Sequence, residues 1–289
     1  MKKKLYLLIG SICVFLLLST GCTQQSPKNN EIGVVVTILP QVEFVQRIAG
    51  DHAHITVMIP PGADPHTYEP TPSQLVEVSN AQLYVKVGSP IEFELSWMDK
   101  ILSINDQLLV IDCSKGIDLM NSTDEDEPGI DPHIWTSVKN AEIMVQNIYQ
   151  GFLQIDPTNK TYYENNTDKY IQDLQSLDEN ITEILSAKTH RIFMVYHPAW
   201  GYFAKEYGLE QLSIEEYGKE PTPQQLERLI DEAKAENISV IFVSPQFNTR
   251  SAETIANEIH GKVIAVDPLA EDYLNNMQKI ADAFAEAMQ

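Results

Sequence analysis

The sequence predicts an α/β protein of two lobes, each a parallel sheet flanked by helices, joined by one long rigid helix. Three observations carry that prediction. From Gly33 onward, short runs rich in β-branched residues alternate with stretches of helical periodicity. The alternation is interrupted once, over residues 158–187, by a longer stripe with helical spacing. After the stripe it restarts and continues to the end of the chain. Strands separated by helices indicate parallel sheets covered on both faces.

The first lobe is assigned to residues 33–157. Val34, Val35, Val36, Thr37 and Ile38 form its first strand, and Pro40–Ala49 follows as a helix with Val42, Phe44, Val45 and Ile48 on one face. A second strand over 55–59 is stopped by Pro60, Pro61 and Gly62. Thr71 and Pro72 then start a helix as N-cap and first helical residue. A strand over 83–87, a helix over 90–102, a strand over 108–111 and a helix over about 137–153 complete this half. Cys113, just after an apolar run, reads as a strand-end packing residue rather than a nucleophile.

In the stripe at 158–187, Tyr163, Tyr170, Leu174, Leu177, Ile181 and Ile184 recur at helical spacing. About 30 residues at about 1.5 Å each make a rod of roughly 45 Å, enough to run the length of a domain. It reads as the link between lobes, with a coiled-coil dimer as the weaker alternative for a segment this short. The second lobe, 188–289, takes strands over 191–196, 211–214, 239–243 and 263–266, with helices over 200–207, 221–237, 250–260 and 281–288. Thr222 and Pro223 repeat the helix-start pairing of Thr71 and Pro72.

Composition narrows the partners. With 41 acidic against 20 basic residues the formal charge of the 289-residue chain is −21, which argues against nucleic acid or an anionic membrane surface as the main partner. Lys2, Lys3 and Lys4 precede an apolar stretch over 5–18 that is too short for a confident membrane span. Leu18-Ser19-Thr20-Gly21-Cys22 follows, and then a polar tract; together these resemble a bacterial lipoprotein signal, residues 1–21, with Cys22 lipidated and 22–32 a flexible tether. Ser19 departs from the aliphatic residue usual three places before such a cysteine. A plain secretory signal and an uncleaved anchor are the alternatives, and all three place the remainder outside the cytoplasm. Loss of residues 1–21 removes three lysines and takes the charge from −21 to −24. Cys13 lies in the signal and Cys22 is the lipid site, so Cys113 alone remains and no internal disulfide forms.

Four metal-competent side chains stand beside prolines. Asp64-Pro65-His66 recurs as Asp131-Pro132-His133, His197 precedes Pro198, and Asp267 precedes Pro268. Proline's fixed φ stiffens the backbone entering His66 and His133, and the residue before a proline is held extended, which limits His197 and Asp267. Three imidazole nitrogens and a carboxylate suit zinc. Ligands of open α/β sheets bind beyond the carboxyl ends of the strands, so such a site would lie in the cleft with two arms from each lobe. Set against this, a single exposed Asp-Pro-His is usually only a turn. His52, His54, His190 and His260 lack the loop context and read as surface or packing residues. The acidic run at 124–127 reads as a solvated loop, with cation gathering as an outside role.

Several longer motifs occur in one order: Pro-Gly-Ala-Asp-Pro-His-Thr-Tyr-Glu-Pro-Thr-Pro-Ser at 61–73, Asp-Pro-His-Ile-Trp at 131–135, Tyr-His-Pro-Ala-Trp-Gly-Tyr-Phe at 196–203, Glu-Pro-Thr-Pro-Gln-Gln-Leu at 220–226 and Val-Asp-Pro-Leu at 266–269. Together they resemble the zinc/manganese substrate-binding lipoproteins of ABC metal importers, the cluster A-I type, over essentially the whole chain beyond the signal. The resemblance implies two α/β lobes on a rigid helix and a metal held between them by His66, His133, His197 and Asp267. It also implies delivery to an importer permease served by a separate ATPase subunit, a monomer, and a lipid anchor at Cys22 on the outer face of the cytoplasmic membrane. Manganese-specialised members carry Glu where this chain has His197, so the resemblance tilts toward zinc, with a manganese- or iron-selective protein as the alternative. Zinc members often carry a His-rich loop before the second Asp-Pro-His; here that loop is acidic.

Two other classes compete. A secreted zinc hydrolase would also use three histidines, but the chain has no His-Glu-x-x-His and no Gly-x-Ser-x-Gly, and Asp267 would close the position a catalytic water needs. The expectation is therefore no enzyme. Adhesion is compatible as a second role. No Gly-x-x-x-x-Gly-Lys-Ser/Thr is present, so ATP hydrolysis falls to another chain.

Overall fold

Val34, Val35 and Val36 are buried at the centre of the first sheet, as an unbroken β-branched run flanked by helices requires. This strand, β1 (Ile32–Val36), pairs in parallel with β2 (Ala53–Val57) on one side and β3 (Leu83–Lys86) on the other. β4 (Leu109–Asp112) adds to β3, giving the order β2-β1-β3-β4. The computed structural model describes residues 31–122, 129–215 and 219–288. The signal, Cys22, the tether up to residue 30 and the acidic run at 124–127 lie outside the described residues.

Helices α1 (Pro40–Ala49), α2 (Pro72–Asn80), α3 (Glu92–Ile104) and α4 (Val138–Ile155) complete this half. Thr71 caps α2 through a reciprocal capping box with Gln74, whose amide also donates to the carbonyls of Val57 (2.9 Å) and Met58 (2.7 Å). The helix start is thereby tied to the end of β2. The first strand stops at Val36 rather than 38 because the N–H groups of Thr37 and Ile38 turn to Gln41 Oε1, at 3.0 and 3.1 Å. Cys113 is fully buried, as a packing residue should be.

The stripe forms α5 (Lys160–Ser186), 27 residues or about 40 Å long, entered by a 3-10 turn at Pro157–Asn159. Tyr163, Tyr170, Leu174, Leu177 and Ile181 are buried, and Leu185 rather than the expected Ile184 completes the face. That face is covered inside the chain by α4, α1 and the last helix. Beyond it, β5 (Ile192–Val195), α6 (Gly201–Tyr207), β6 (Glu210–Ser213), α7 (Pro223–Ala235), β7 (Val240–Val243), α8 (Arg250–Glu258), β8 (Lys262–Ala265) and α9 (Tyr273–Ala287) build the second half. Thr222 caps α7 with a second capping box, through Gln225. The last helix begins eight residues before the expected 281, because Tyr273, Met277 and Ile280 bury a turn whose neighbours Asn275 and Asn276 mask it in sequence.

The second sheet, β6-β5-β7-β8, is also all parallel and repeats the order of the first. In each, the chain moves outward from the first strand in one direction and then the other, which makes a switch point between β1 and β3 and another between β5 and β7. One continuous core joins the halves. Phe193, Val195 and Phe242 face inward with Trp200 and Phe284, and the same cluster includes Val36, Phe44 and Tyr170. The alternate residues Met194 and Ile241 pack with Leu229 and Ile255 on the outer face. Polar links reinforce the seam: Trp135 Nε1 donates to Pro268 O (2.7 Å), and the Tyr273 hydroxyl donates to Trp135 O (2.9 Å).

Candidate metal centre

Each Asp-Pro-x segment forms the same local turn. Oδ1 of Asp64 accepts the His66 N–H at 2.9 Å, Oδ1 of Asp131 accepts that of His133 at 2.9 Å, and Oδ1 of Asp267 accepts that of Leu269 at 2.9 Å. The aspartate closes an Asx turn while the intervening proline fixes φ, which is why these short tracts hold their third residue rigidly. His66 lies between β2 and α2, and His133 in the segment entering α4, where Ser89 Oγ also holds the Pro132 carbonyl at 2.5 Å. His197 follows β5 directly and is buried; Asp267 follows β8.

The three loop histidines converge. Nε2 of His133 stands 3.2 Å from Nε2 of His197, and the rings of His66 and His197 are 5.3 Å apart, centroid to centroid. Each ring presents its other nitrogen to a carboxylate: His133 Nδ1 to Asp131 at 2.8 Å, His197 Nδ1 to Glu215 at 3.1 Å, and His66 Nδ1 to Glu92 at 3.2 Å. A carboxylate accepts, so the hydrogen bonds at His133 and His197 put the imidazole proton on Nδ1 and leave Nε2 with its lone pair, whereas at His66 the carboxylate approaches as a charge and Glu92 Oε2 makes no hydrogen bond among the described residues. Two lone pairs facing each other repel unless a cation or a proton lies between them. Nitrogens bound tetrahedrally to zinc at about 2.0–2.1 Å stand about 3.3 Å from one another, close to the observed separation.

Electrostatics differ among the rings. Burial lowers the His197 imidazole, and the neighbouring His133 and His66 add to that against Glu215, leaving it below its ordinary value. Burial also acts to lower His66, but the Glu92 carboxylate beside it outweighs this and holds the ring above its ordinary value. Burial works against ionisation of Glu92, yet the contact with His66 keeps its carboxyl below the usual range.

A cavity of about 20 Å³ lies among His66, His133, His197, Glu92, Gln246 and Phe247, roofed by Trp135 and Pro268. That is room for one water-sized guest. Phe247 stacks on His197 at 4.4 Å and 26°. Asp267 is the expected residue that the structure does not bring to the cavity wall; its Oδ1 is taken by Leu269 N–H and by Gln246 Nε2 at 2.8 Å. Among the described residues no three His, Cys, Asp or Glu side chains already stand in an ion-holding group, so an ion here requires small side-chain rotations. His52, His54, His190 and His260 lie elsewhere, His52 packing against Tyr162 in a tilted arrangement with centroids 4.8 Å apart.

Sequence reasoning missed Glu92, Glu215 and Gln246. Glu92 and Gln246 follow the strands that bound the two switch points, β3 and β7, which is the signal that would have found them. Glu215 follows β6 and is buried, and no local pattern marks it.

Comparison with known proteins agrees with this architecture. A family model described as ZnuA, zinc-uptake complex component A periplasmic, matches residues 34–287. The high-affinity zinc uptake system protein ZnuA of Bacillus subtilis is 32% identical over 255 residues, covering 84% of this chain and 80% of the relative. The manganese-binding lipoprotein MntA of Halalkalibacterium halodurans is 28% identical over 294 residues, covering 96% of each chain. A crystal structure of ZnuA superposes with a TM-score of 0.85 at 37% identity, covering 90% of this chain and all of that one.

Proposed function

We propose that this chain, which belongs to the ZnuA family of periplasmic zinc-uptake components, holds one divalent metal ion between its lobes and hands it to an ABC importer. Zinc is the first choice of ion. The lobes span 33–157 and 188–289, and the helix at 158–187 fixes their spacing. His66, His133 and His197 bind through Nε2, and Asp267 supplies the fourth arm through Oδ2, by a small shift that keeps the hydrogen bonds on its Oδ1. The observation that carries this reading is the set of three imidazoles, each with Nδ1 engaged by a carboxylate, and two of them aiming Nε2 at one point from 3.2 Å apart. A histidine ligand is oriented and made more basic in this way by an outer carboxylate.

Nitrogen ligands favour zinc over manganese, and the third imidazole is the deciding one. The transporter's permease and ATPase are separate chains, and a lipid on Cys22 would keep the binding protein beside them on the outer face of the membrane. Family membership supports a role in transport rather than catalysis.

Calorimetric titration of the chelator-treated chain with zinc and with manganese tests the reading. One zinc per chain is expected, with binding lost in His66→Ala, His133→Ala and His197→Ala. A chain that binds neither ion overturns it; manganese binding more tightly than zinc overturns the choice of ion.

A further inference from the structure

Gln246 lines the cavity, and Asp267 stands behind it in hydrogen-bond contact with its side chain. Gln246 follows β7 at the second switch point, in the turn closed by the bond from Phe247 N–H to Ser244 O at 3.1 Å. Phe247, its neighbour, is pinned by stacking on His197, so this turn is fixed relative to the imidazoles. The Gln246 side chain lines the cavity together with all three loop histidines. Its Nε2 donates to Asp267 Oδ1 at 2.8 Å, while its Oε1 is buried without a hydrogen-bond partner among the described residues. The amide can face only one way, because the flipped orientation would set two oxygens against each other.

Asp267 Oδ1 therefore has two donors, Gln246 Nε2 and the N–H of Leu269, and both hydrogen bonds described for this carboxylate fall on that one oxygen. A carboxylate held so offers an ion its other oxygen alone. Three imidazole nitrogens and one carboxylate oxygen make four ligands, the tetrahedral number zinc takes. Manganese prefers more ligands and more oxygen, which a carboxylate binding through both oxygens would supply.

We infer that Gln246 is a specificity-determining positioning residue: by holding Asp267 Oδ1 it restricts that carboxylate to one metal-facing oxygen and biases the site toward zinc and against larger, more highly coordinated cations. The inference rests on the metal-binding reading above and adds the device that sets the coordination number. Gln246 acts through Asp267, so its effect requires that carboxylate.

The test compares wild type, Gln246→Met, Gln246→Ala, Asp267→Ala and the double variant Gln246→Met/Asp267→Ala in the full chain. Competition titrations give the ratio of zinc to manganese affinity, and cobalt(II) loading reports coordination number through its visible absorption, which is intense for four ligands and weak for five or six. The expected result is a loss of zinc preference of about tenfold or more in Gln246→Met, the scale on which outer partners act on metal sites. The cobalt bands should weaken at the same time. The Gln246 substitution should have no further effect once Asp267 is removed, because a residue acting through another is silent without it. Gln246→Ala deletes the same donor and carries the test if the methionine variant does not fold. Unchanged preference and cobalt spectrum in a zinc-binding Gln246 variant overturn the inference, as does an effect that persists without Asp267. Failure of wild type to bind zinc would instead overturn the metal-site reading itself.

Discussion

Glu206→Gln should stabilise the protein at alkaline pH and leave it unchanged in acid. Glu206 sits on α6 with 6% of its side chain exposed, against Asp178 of α5 and Lys139 of α4. Ser137 Oγ donates to its Oε2, while Oε1 is buried without a hydrogen bond, 3.6 Å from Lys139 Nζ. Burial, and then the neighbouring Asp178 carboxylate, push the Glu206 carboxyl up to about 7 from 4.5. The folded state therefore binds a proton that the unfolded state has already lost. The stability this contributes is complete below pH 4.5 and is lost as pH rises through 7. A shift of this size bounds the cost of ionisation at pH 8 at about 3 kcal/mol, and sharing of the charge among Asp178 and Lys139 reduces the expected gain to about 1–2 kcal/mol. Glutamine keeps the shape, still accepts from Ser137, and can donate to Asp178 at every pH. At about 2–4 °C per kcal/mol, thermal unfolding in excess chelator should show the Glu206→Gln variant melting a few degrees above wild type at pH 8, with the gap closing by pH 5. An equal gap at both pH values, or a less stable variant at pH 8, would refute the assignment of a proton to this carboxyl.

Further outcomes follow from the site and the core. In the proposed site zinc displaces a proton from His66, which Glu92 holds above its ordinary value, so affinity should fall by up to a decade per pH unit below that value. Titrations between pH 8 and pH 5.5 read this, and a flat profile contradicts it. Glu215→Gln removes the charge facing the buried His197 Nδ1 and should weaken zinc about tenfold without altering the melting curve of the chelated protein by more than a few degrees. Gly151→Ala would place a methyl group 2.7 Å from Ile111 Cγ1, between α4 and β4, and should cost about 1–3 kcal/mol in denaturant unfolding.

Local rules made some features legible in the sequence. Thr71-Pro72 and Thr222-Pro223 announced two helix starts because the cap, the proline and the glutamine at the third helical position all lie within four residues. The Asp-Pro-His tracts likewise showed that His66 and His133 would be held stiffly, since the turn is closed by their own aspartates. Glu92, Glu215 and Gln246 were not legible, because their roles arise from contacts with residues 26, 18 and 21 positions away that only the folded sheets bring together. Asp267 shows how one motif can serve two ends. Its oxygen Oδ1 closes the same Asx turn as in Asp64 and Asp131, so the residue expected as a ligand is partly occupied as a turn former. The start of the last helix was hidden for a different reason: Asn275 and Asn276 dilute the apolar stripe, and burial of Tyr273 against Phe44, with ring centroids 5.0 Å apart, overrides their weak propensity.

The most direct test of the metal site is X-ray absorption at the zinc edge on the zinc-loaded full chain. Three imidazole nitrogens at about 2.0–2.1 Å and one oxygen at about 2.0–2.2 Å are expected, and this signature should be absent in His66→Ala, His133→Ala and His197→Ala. Zinc bound through fewer than three imidazoles in wild type, or an unchanged imidazole count in those variants, would contradict the site.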